Sequence, residues 1–183
     1  MTSSPGITTA AARLRPLRIA LVLQGIAPWV PVEKIFMTQL GFTPTLFALM
    51  AAAYGATVPL LEIPAGILAD RWSRRGVLML ASLASLASVI VGGLSHNVAT
   101  YLASAMLLGV YFAMQSGTVD AIVYDTLIEE AGDADGFEKQ YGRIQALNSV
   151  ALTASALAGG VIAALVSARF TYLLTIPTSV AGL

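Results

Sequence analysis

Long apolar runs separated by short polar turns constrain this chain more than any other feature. The run 76–94 carries no charged residue, and the run 45–68 carries only Glu62. At a helical rise of about 1.5 Å per residue, each run covers the roughly 30 Å hydrocarbon core of a bilayer. A backbone inside lipid must satisfy its own hydrogen bonds, so runs of this length predict transmembrane helices.

The composition argues against several classes of protein. The chain is 57% hydrophobic and 11% charged, with mean hydropathy +0.79, whereas soluble domains carry about 25% charged residues. It has no cysteine, so disulfides, thiolate metal sites and cysteine nucleophiles are excluded. The formal net charge is zero, and no Lys/Arg-rich cluster alternates with aromatic residues, which argues against nucleic-acid binding.

Catalytic and metal-binding motifs are missing from the sequence. It contains no glycine-rich phosphate loop, no His-Glu-x-x-His and no nucleophile elbow. The run Asp133-Ala-Asp135-Gly136 resembles the opening of a calcium loop, but the glutamate that closes such a loop is missing at the required spacing. We therefore expect no cofactor, no metal ion and no enzymatic activity.

The apolar pattern predicts an all-α membrane protein. Residues 1–18 are expected to form a small, polar cytoplasmic tail, and residues 19–183 one transmembrane domain. The predicted helices cover residues 19–40, 45–68, 76–94, 98–127, 144–168 and 170–183, with a polar connector over 128–143. Pro28 and Pro31 should bend the first helix. The run 170–183 covers only about 21 Å, so we expect the chain to stop inside the sixth helix.

The basic residues assign an orientation to these helices. Only Lys34 and Arg169 fall on one predicted side of the membrane. The other eight fall on the opposite side, namely Arg13, Arg15, Arg18, Arg71, Arg74, Arg75, Lys139 and Arg143. Because Lys and Arg are retained in the cytoplasm, this asymmetry predicts a multi-pass protein of the inner or plasma membrane with a cytoplasmic amino terminus.

Small residues recur every four positions in three of the predicted helices. Membrane helices associate through close backbone contact, which small residues permit, because lipid tails are as apolar as leucine. The rows are Ala84, Ser88 and Gly92; Gly109, Ala113, Gly117 and Ala121; and Ala151, Ser155, Gly159 and Ala163. They predict a tight bundle, although an alanine-rich sequence also produces such rows by chance.

Acidic side chains inside the predicted helices are candidate functional groups, because a mid-bilayer charge costs about 2.5–3.5 kcal/mol. Glu62 is either a proton-titrating or substrate-facing carboxylate or the partner of an arginine. Asp120 is a second candidate for the substrate or proton pathway. Glu33 and Lys34 either form a charged pair in an outer cavity or lie at the end of the first helix. At a helix end, a long charged side chain can reach the membrane–water interface. The possible arginine partners of Glu62 are Arg71, Arg74 and Arg143.

Uncharged polar side chains within the helices can line a substrate cavity. Amides and phenols offer hydrogen bonds without the cost of a charge. Hydrogen bonding between helices is the alternative interpretation for each of them. The candidates are Gln24, Tyr54, Tyr111, Gln115, Gln145 and Asn148.

The turn between the second and third predicted helices resembles a known family. Its pattern is Gly-x-Leu-Ala-Asp-Arg-x-Gly-Arg-Arg/Lys-x-x-Leu, found between helices 2 and 3 of major facilitator superfamily transporters. Ser73 stands where that pattern has its second glycine. The matching residues are Gly66, Leu68, Ala69, Asp70, Arg71, Arg74, Arg75 and Leu78.

This resemblance implies a fold and a set of roles. The chain would be the amino-terminal six-helix half bundle, truncated in its sixth helix and partnered by a carboxy-terminal six-helix half that these residues lack. Gly66, Asp70, Arg71, Arg74 and Arg75 would form a gate. Asp70 would lie against a helix amino terminus of the other half.

By the same resemblance, Asp125 would pair with Arg74. The antiporter pattern of helix 5, Gly-x-x-x-Gly-Pro-x-x-Gly-Gly, is matched only at Gly159-Gly160, since Ser155-Ala156 replaces its Gly-Pro pair.

The leading functional hypothesis is a secondary transporter that exports a small organic solute by proton-coupled alternating access. Its partners would be the lipid bilayer, the solute and protons, and not nucleic acid. A membrane enzyme is a weaker alternative, because no nucleophile or metal set supports Glu62, Asp120 or Asp125 as acid and base. The remaining alternative is a non-transporting scaffold or a half module that depends on a partner.

Overall fold

Helices make up nearly all of the computed structural model, which describes residues 5–134 and 136–183. No strand occurs in those two ranges. The α-helices are α1 (Pro5–Arg13), α2 (Arg15–Gln24), α3 (Glu33–Gln39), α4 (Pro44–Arg71), α5 (Arg74–Leu94), α6 (Val98–Gln115), α7 (Thr118–Ala131), α8 (Phe137–Leu165) and α9 (Ala168–Ala181), and a 3-10 turn covers Val30–Val32. The predicted all-α membrane fold is confirmed.

Four segments of the described chain are long and apolar enough to cross a membrane. They are α4, α5, the pair α6–α7 over Val98–Ala131, and α8. The predicted helices 45–68 and 76–94 therefore correspond closely to α4 and α5. The predicted helix 170–183 corresponds to α9, whereas the predicted passage 19–40 is divided among α2, the 3-10 turn and α3, so the expectation of one long helix over 19–40 is wrong.

Four of the described helices begin at polar residues that cap them. The side-chain oxygen of each cap accepts a hydrogen bond from a backbone N–H three residues later, at 2.9–3.4 Å. This satisfies a donor that the first helical turn leaves free. The caps of α4, α5, α6 and α9 are Thr43, Ser73, Asn97 and Ser167.

The first membrane passage, predicted over residues 19–40, is interrupted and not merely bent. Pro28 and Pro31 remove backbone donors and clash with the preceding turn, so α2 ends at Gln24 and α3 begins at Glu33. The break packs on α8, where a Cβ added at Gly159 would lie 1.9 Å from the Pro28 carbonyl oxygen. The small-residue row of α8 is thus a true contact face.

A second break separates α6 from α7, where the sequence predicted one helix over 98–127. Gly117 has φ +63°, a conformation that L side chains rarely adopt. It interrupts the row that runs from Gly109 to Ala121, so that row does not lie on one helix. The connector predicted over 128–143 is also shorter, because α7 continues to Ala131 and α8 starts at Phe137.

The amino-terminal segment, expected from the sequence as a small, polar tail, contains the helix α1. Helix α1 packs against α7, and Ala10 and Leu14 are 0% and 1% exposed within the cluster that contains Val123 and Leu127. These apolar contacts stabilise a segment that is too short to be helical by itself. Residues 1–4 lie outside the described range.

Two apolar clusters mark the two ends of the bundle. The first contains Leu14, Leu127 and Ile144 and lies near the turn 70–75; we call this the Arg74 end. The second contains Phe36, Tyr101 and Tyr172 and lies near the turns 40–43, 95–97 and 166–167; we call this the His96 end. Helix α5 joins the ends and packs against α6 and α9.

Close backbone contact holds α5 against α6. The Ser88 hydroxyl donates to the Ser104 carbonyl at 2.8 Å, and the Ser104 hydroxyl donates to the Ser88 carbonyl at 2.9 Å. A Cβ added at Gly92 would lie 2.8 Å from the Ser104 hydroxyl. The row predicted on this helix therefore lies in a contact.

Candidate functional site

The turn between α4 and α5 carries an arginine that interacts with two carboxylates. The Arg74 guanidinium bonds to the Asp125 carboxylate of α7 and lies 3.9 Å from the Asp70 carboxylate of α4. The pairing of Arg74 with Asp125 that the resemblance implied is present. Because the Asp70 side chain is 73% exposed, most of its surface remains open to a further partner. A gating role for this cluster stays a prediction.

The other residues of the turn are less constrained. Arg71 and Arg75 are exposed and form no ion pair with any residue of the described chain. At Gly66, no described atom lies within 4 Å of an added Cβ. The glycine in close contact is Gly76, where an added Cβ would lie 2.8 Å from both the Ser73 hydroxyl and the Trp72 ring.

A cleft of about 260 Å³ lies between α2, α6, α7 and α8. Four of its lining residues were predicted as cavity or pathway residues: Gln115, Asp120, Gln145 and Asn148. The remaining lining residues are Leu21, Phe112, Ser116, Gly117, Val119 and Tyr141. The cleft is centred on the break between α6 and α7, which turns their polar side chains toward α8.

The polar groups of the cleft form a connected set. The Gln145 amide donates to the Tyr141 hydroxyl at 3.5 Å, and Asp120 lines the same cleft. Asn148 lies against the end of α2, where a Cβ added at Gly25 would meet its amide oxygen at 2.0 Å. A bound solute would therefore meet amide, phenol and carboxylate groups together.

Glu62 reaches the edge of this cleft from α4. Its carboxylate accepts a hydrogen bond from the Ser116 hydroxyl at 2.8 Å. In the ranges that the structure covers, Glu62 forms no ion pair, which contradicts the interpretation in which an arginine neutralises it. The break at Ser116 and Gly117 therefore contacts Glu62 of α4 through Ser116, and α7 carries Asp120 three residues after Gly117.

The remaining candidates lie outside the cleft. The Gln24 amide donates to the Ser82 hydroxyl at 2.5 Å and to the Gly182 carbonyl at 3.1 Å, so it bonds between helices. Tyr54 packs edge-on against the Phe112 ring at 6.4 Å. Tyr111 is buried in α6, with its ring 4.9 Å from the ring of Phe112.

Glu33 lies far from the cleft, at the His96 end. Its carboxylate accepts a hydrogen bond from the Tyr101 hydroxyl at 2.9 Å. Tyr101 and its neighbour Tyr172 were not among the predicted site residues. Both lie within two turns of a helix cap, at the predicted membrane–water interface, where tyrosine is enriched. That position was the sequence signal that could have identified them.

The acidic residues do not converge on a metal-binding arrangement. In the described ranges no three His, Cys, Asp or Glu side chains come together as metal ligands. Asp135, the second acidic residue of the calcium-like run, lies outside those ranges.

The matched family agrees with the fold and with the turn. The sequence profile of the Major Facilitator Superfamily matches residues 19–183, which is most of the chain. Comparison with curated proteins gives no match. With its apolar helices, its Asp70–Arg75 turn and this match, the chain belongs to the Major Facilitator Superfamily and is a multi-pass membrane transporter.

Proposed function

We propose that the protein exports a small organic solute by proton-coupled alternating access. The observation that carries the proposal is the position of the polar cleft relative to the Arg74–Asp125 pair. Asp125 follows the cleft residue Asp120 by five positions, which is about 7.5 Å along α7. A solute in the cleft therefore lies next to the ion pair that joins α7 to the α4–α5 turn.

The Arg74 cluster would act as the cytoplasmic gate. Its ion pair links α5 to α7 and depends on the side chains staying within bonding distance, so movement of α7 relative to the turn must break it. Asp70 is exposed and available to the helix amino terminus of a second half, where the helix dipole favours an anion. Gly66, Arg71 and Arg75 would support this contact from the same turn.

The cleft carboxylates would couple protons to the solute. Asp120 lines the cleft and Glu62 bonds to the lining residue Ser116, and no cation is paired to either carboxylate in the described parts of the chain. Uptake of a proton removes the cost of holding such a charge away from water. Gln115, Gln145 and Asn148 would then bind the polar groups of the solute.

A carboxy-terminal six-helix half would complete the transporter. Helix α4 exposes large apolar side chains along its length, and its apolar window has no buried residue. Leu49, Leu60, Ile63 and Ile67 are 50–72% exposed. Part of this surface would contact lipid and part would contact the second half.

Orientation follows from the basic residues. The Arg74 end would lie in the cytoplasm together with the amino terminus, and the protein would reside in the inner or plasma membrane. Arg18 supports this end of the bundle from within, because it is buried and bonds to Gln140 of α8. Burial lowers the pKa of Arg18 from its ordinary value, an effect that Arg143 and Arg15 reinforce.

Transport assays separate this proposal from the scaffold alternative. The full-length protein is reconstituted in vesicles, and the flux of a panel of solutes is measured with and without a pH gradient. The proposal predicts flux of at least one solute that increases with the gradient. Flux that is equal with and without the gradient would contradict proton coupling. A lack of flux for every solute would favour the scaffold alternative.

The gate is tested by Asp125→Asn. The variant keeps the shape of the side chain but cannot pair with charged Arg74, so we expect transport to fall while membrane insertion is unchanged. Glu138→Gln, which removes an exposed acidic residue from the first turn of α8, is the matched control and should transport normally. Equal transport by both variants would contradict the gating role.

A further inference from the structure

The His96 end contains an aromatic cluster built from three passages. The Trp29 ring stacks on the Tyr172 ring at 5.2 Å, and the Phe36 ring contacts Tyr172 at 5.2 Å and Tyr101 at 5.9 Å. Phe42 meets the Tyr101 ring at 5.7 Å. Phe36, Tyr101 and Tyr172 are each no more than 2% exposed, so this cluster excludes water from its centre.

One carboxylate is placed at this cluster. The Tyr101 hydroxyl donates to Glu33 at 2.9 Å and lies 2.7 Å from the Tyr172 hydroxyl. Each phenol carries a single proton, so when Tyr101 donates to Glu33 it must be Tyr172 that donates to Tyr101. The three groups form a hydrogen-bonded chain across α3, α6 and α9 that ends on the carboxylate.

No cation of the described residues forms an ion pair with this carboxylate. Lys34 is exposed and, as the next residue on α3, points about 100° away. Arg169 donates to the carbonyls of Gly93 and Ser95 at 3.3 and 2.7 Å, with its charge over the Phe36 ring. The titratable or charged groups around Glu33 are Lys34, Tyr54, His96, Tyr101, Arg169 and Tyr172.

A half-buried carboxylate with only phenol partners is costly while it is charged, because desolvation is not offset by an ion pair. Proton uptake relieves that cost. It also weakens the bond to Tyr101, since hydrogen bonds to an ionised acceptor are about twice as strong as neutral ones. The protonation state of Glu33 therefore sets how firmly α3 is held to α6 and α9.

We propose that Glu33, with Tyr101 and Tyr172, is a proton-binding site on the outer side of the membrane, and that protonation loosens the His96 end of the bundle. A proton moves from outside water to a Glu33 oxygen, and no covalent bond other than O–H changes. The inference rests on the proposed proton-coupled transport. It places one proton site at the opposite end of the bundle from Asp120 and Glu62.

The test compares Glu33→Gln with Lys34→Gln in the full-length protein in vesicles. Glutamine still accepts the Tyr101 hydrogen bond but cannot titrate, so the variant should fold, and its flux should no longer respond to outer pH. Lys34→Gln removes the adjacent exposed charge but leaves Glu33 able to titrate, so its flux should still respond to outer pH. An unchanged response in Glu33→Gln would reduce Glu33 to a structural role and overturn the proposal.

Infrared difference spectra during acidification give an independent measurement. The wild-type protein and Lys34→Gln should show a protonated carboxyl band that Glu33→Gln lacks, and an identical band in all three would contradict the proposal. If Glu33→Gln does not insert, Glu33→Asp takes its place. The shorter side chain withdraws the carboxylate from Tyr101, so the titration midpoint of the infrared carboxyl band must shift relative to the wild-type protein.

The two proposals fail in different ways. If wild-type flux does not depend on the pH gradient, the proposed proton-coupled transport is wrong. The infrared carboxyl band still decides whether Glu33 binds a proton. If wild-type flux follows the gradient and Glu33→Gln follows it equally, only the assignment of Glu33 is wrong.

Discussion

Replacing Gly159 by alanine should separate α8 from the break in the first passage. The added Cβ would lie 1.9 Å from the Pro28 carbonyl oxygen and 2.7 and 2.8 Å from its carbonyl carbon and Cα. Ordinary contact begins at 3.4 Å, so the backbone oxygen would have to move by about 1.5 Å. The opposing atoms belong to the backbone and not to a flexible side chain, so no rotamer change relieves the clash.

The expected cost follows from overpacking. Adding a methylene-sized group to a tight contact destabilises proteins by about 1–3 kcal/mol, and here the hydrogen bond from the Ala27 N–H to the Ser155 hydroxyl, 3.0 Å long, is also at risk. At about 2–4 °C per kcal/mol for a chain of this size, the midpoint of thermal unfolding should fall by several degrees.

The neighbouring glycine is the matched control. Gly160 is exposed, and no described atom lies within 4 Å of a Cβ added there. Alanine is the better helix former by about 1 kcal/mol, so Gly160→Ala should be neutral or stabilising. Unfolding in detergent is followed by tryptophan fluorescence for both variants of the full-length protein. Equal midpoints would refute the packing of α8 on Pro28.

Two further predictions concern the cleft and α1. Gly25→Ala should displace the Asn148 amide, so it should raise the KM for transport about as much as Asn148→Ala, and the double variant should show no further increase. Glu130 and Glu129 raise the pKa of Arg13 above its ordinary value; this stabilisation is fully present below that ordinary value and is lost only as pH rises through the raised pKa. Amide hydrogen exchange in α1, corrected for its intrinsic pH dependence, should therefore not change between about pH 6 and pH 9, and Arg13→Gln should accelerate it.

Each of these has an outcome that would contradict it. Additive effects of Gly25→Ala and Asn148→Ala on KM would mean that the two residues act independently. Unchanged exchange in α1 of Arg13→Gln would mean that the apolar contacts of Ala10 and Leu14 hold the helix without the ion pairs at 2.7 and 2.8 Å.

The predictable parts of the fold are those that local sequence determines. Helix α5 covers Arg74–Leu94 against a predicted 76–94, because a long uncharged run lies between a serine cap and an asparagine-containing turn. The break between α2 and α3 was visible only as Pro28 and Pro31. Whether such prolines bend or end a helix depends on Gly159, which is more than a hundred residues away and makes room for the Pro28 carbonyl.

Helix α1 and the α6–α7 break were missed for the same reason. The apolar surface that stabilises α1 belongs to α7 and α8, and neither is close in sequence. Gly117 in the predicted helix 98–127 had the appearance of a packing residue, because its neighbours Gly109, Ala113 and Ala121 continue a regular row. Its positive φ is a property of the folded backbone.

The candidate site, like the fold, could be predicted only in part from the sequence. Polarity at depth selected Gln115, Asp120, Gln145 and Asn148, and these four residues line one cleft. It failed for Gln24, because the direction in which a side chain points depends on how its helix is rotated against its neighbours. The sequence identified candidates, and only packing decided between a cavity lining and a bond between helices.

The account depends most directly on the membrane position of α5. This helix carries Arg75 at one end and ends next to His96 at the other, and the described chain has no cysteine. Single cysteines, Arg75→Cys and His96→Cys, are treated with a membrane-impermeant maleimide in intact cells. The account predicts that His96→Cys is labelled at once and that Arg75→Cys is labelled only after permeabilisation. Labelling of both sites in intact cells, or of Arg75→Cys alone, would contradict it.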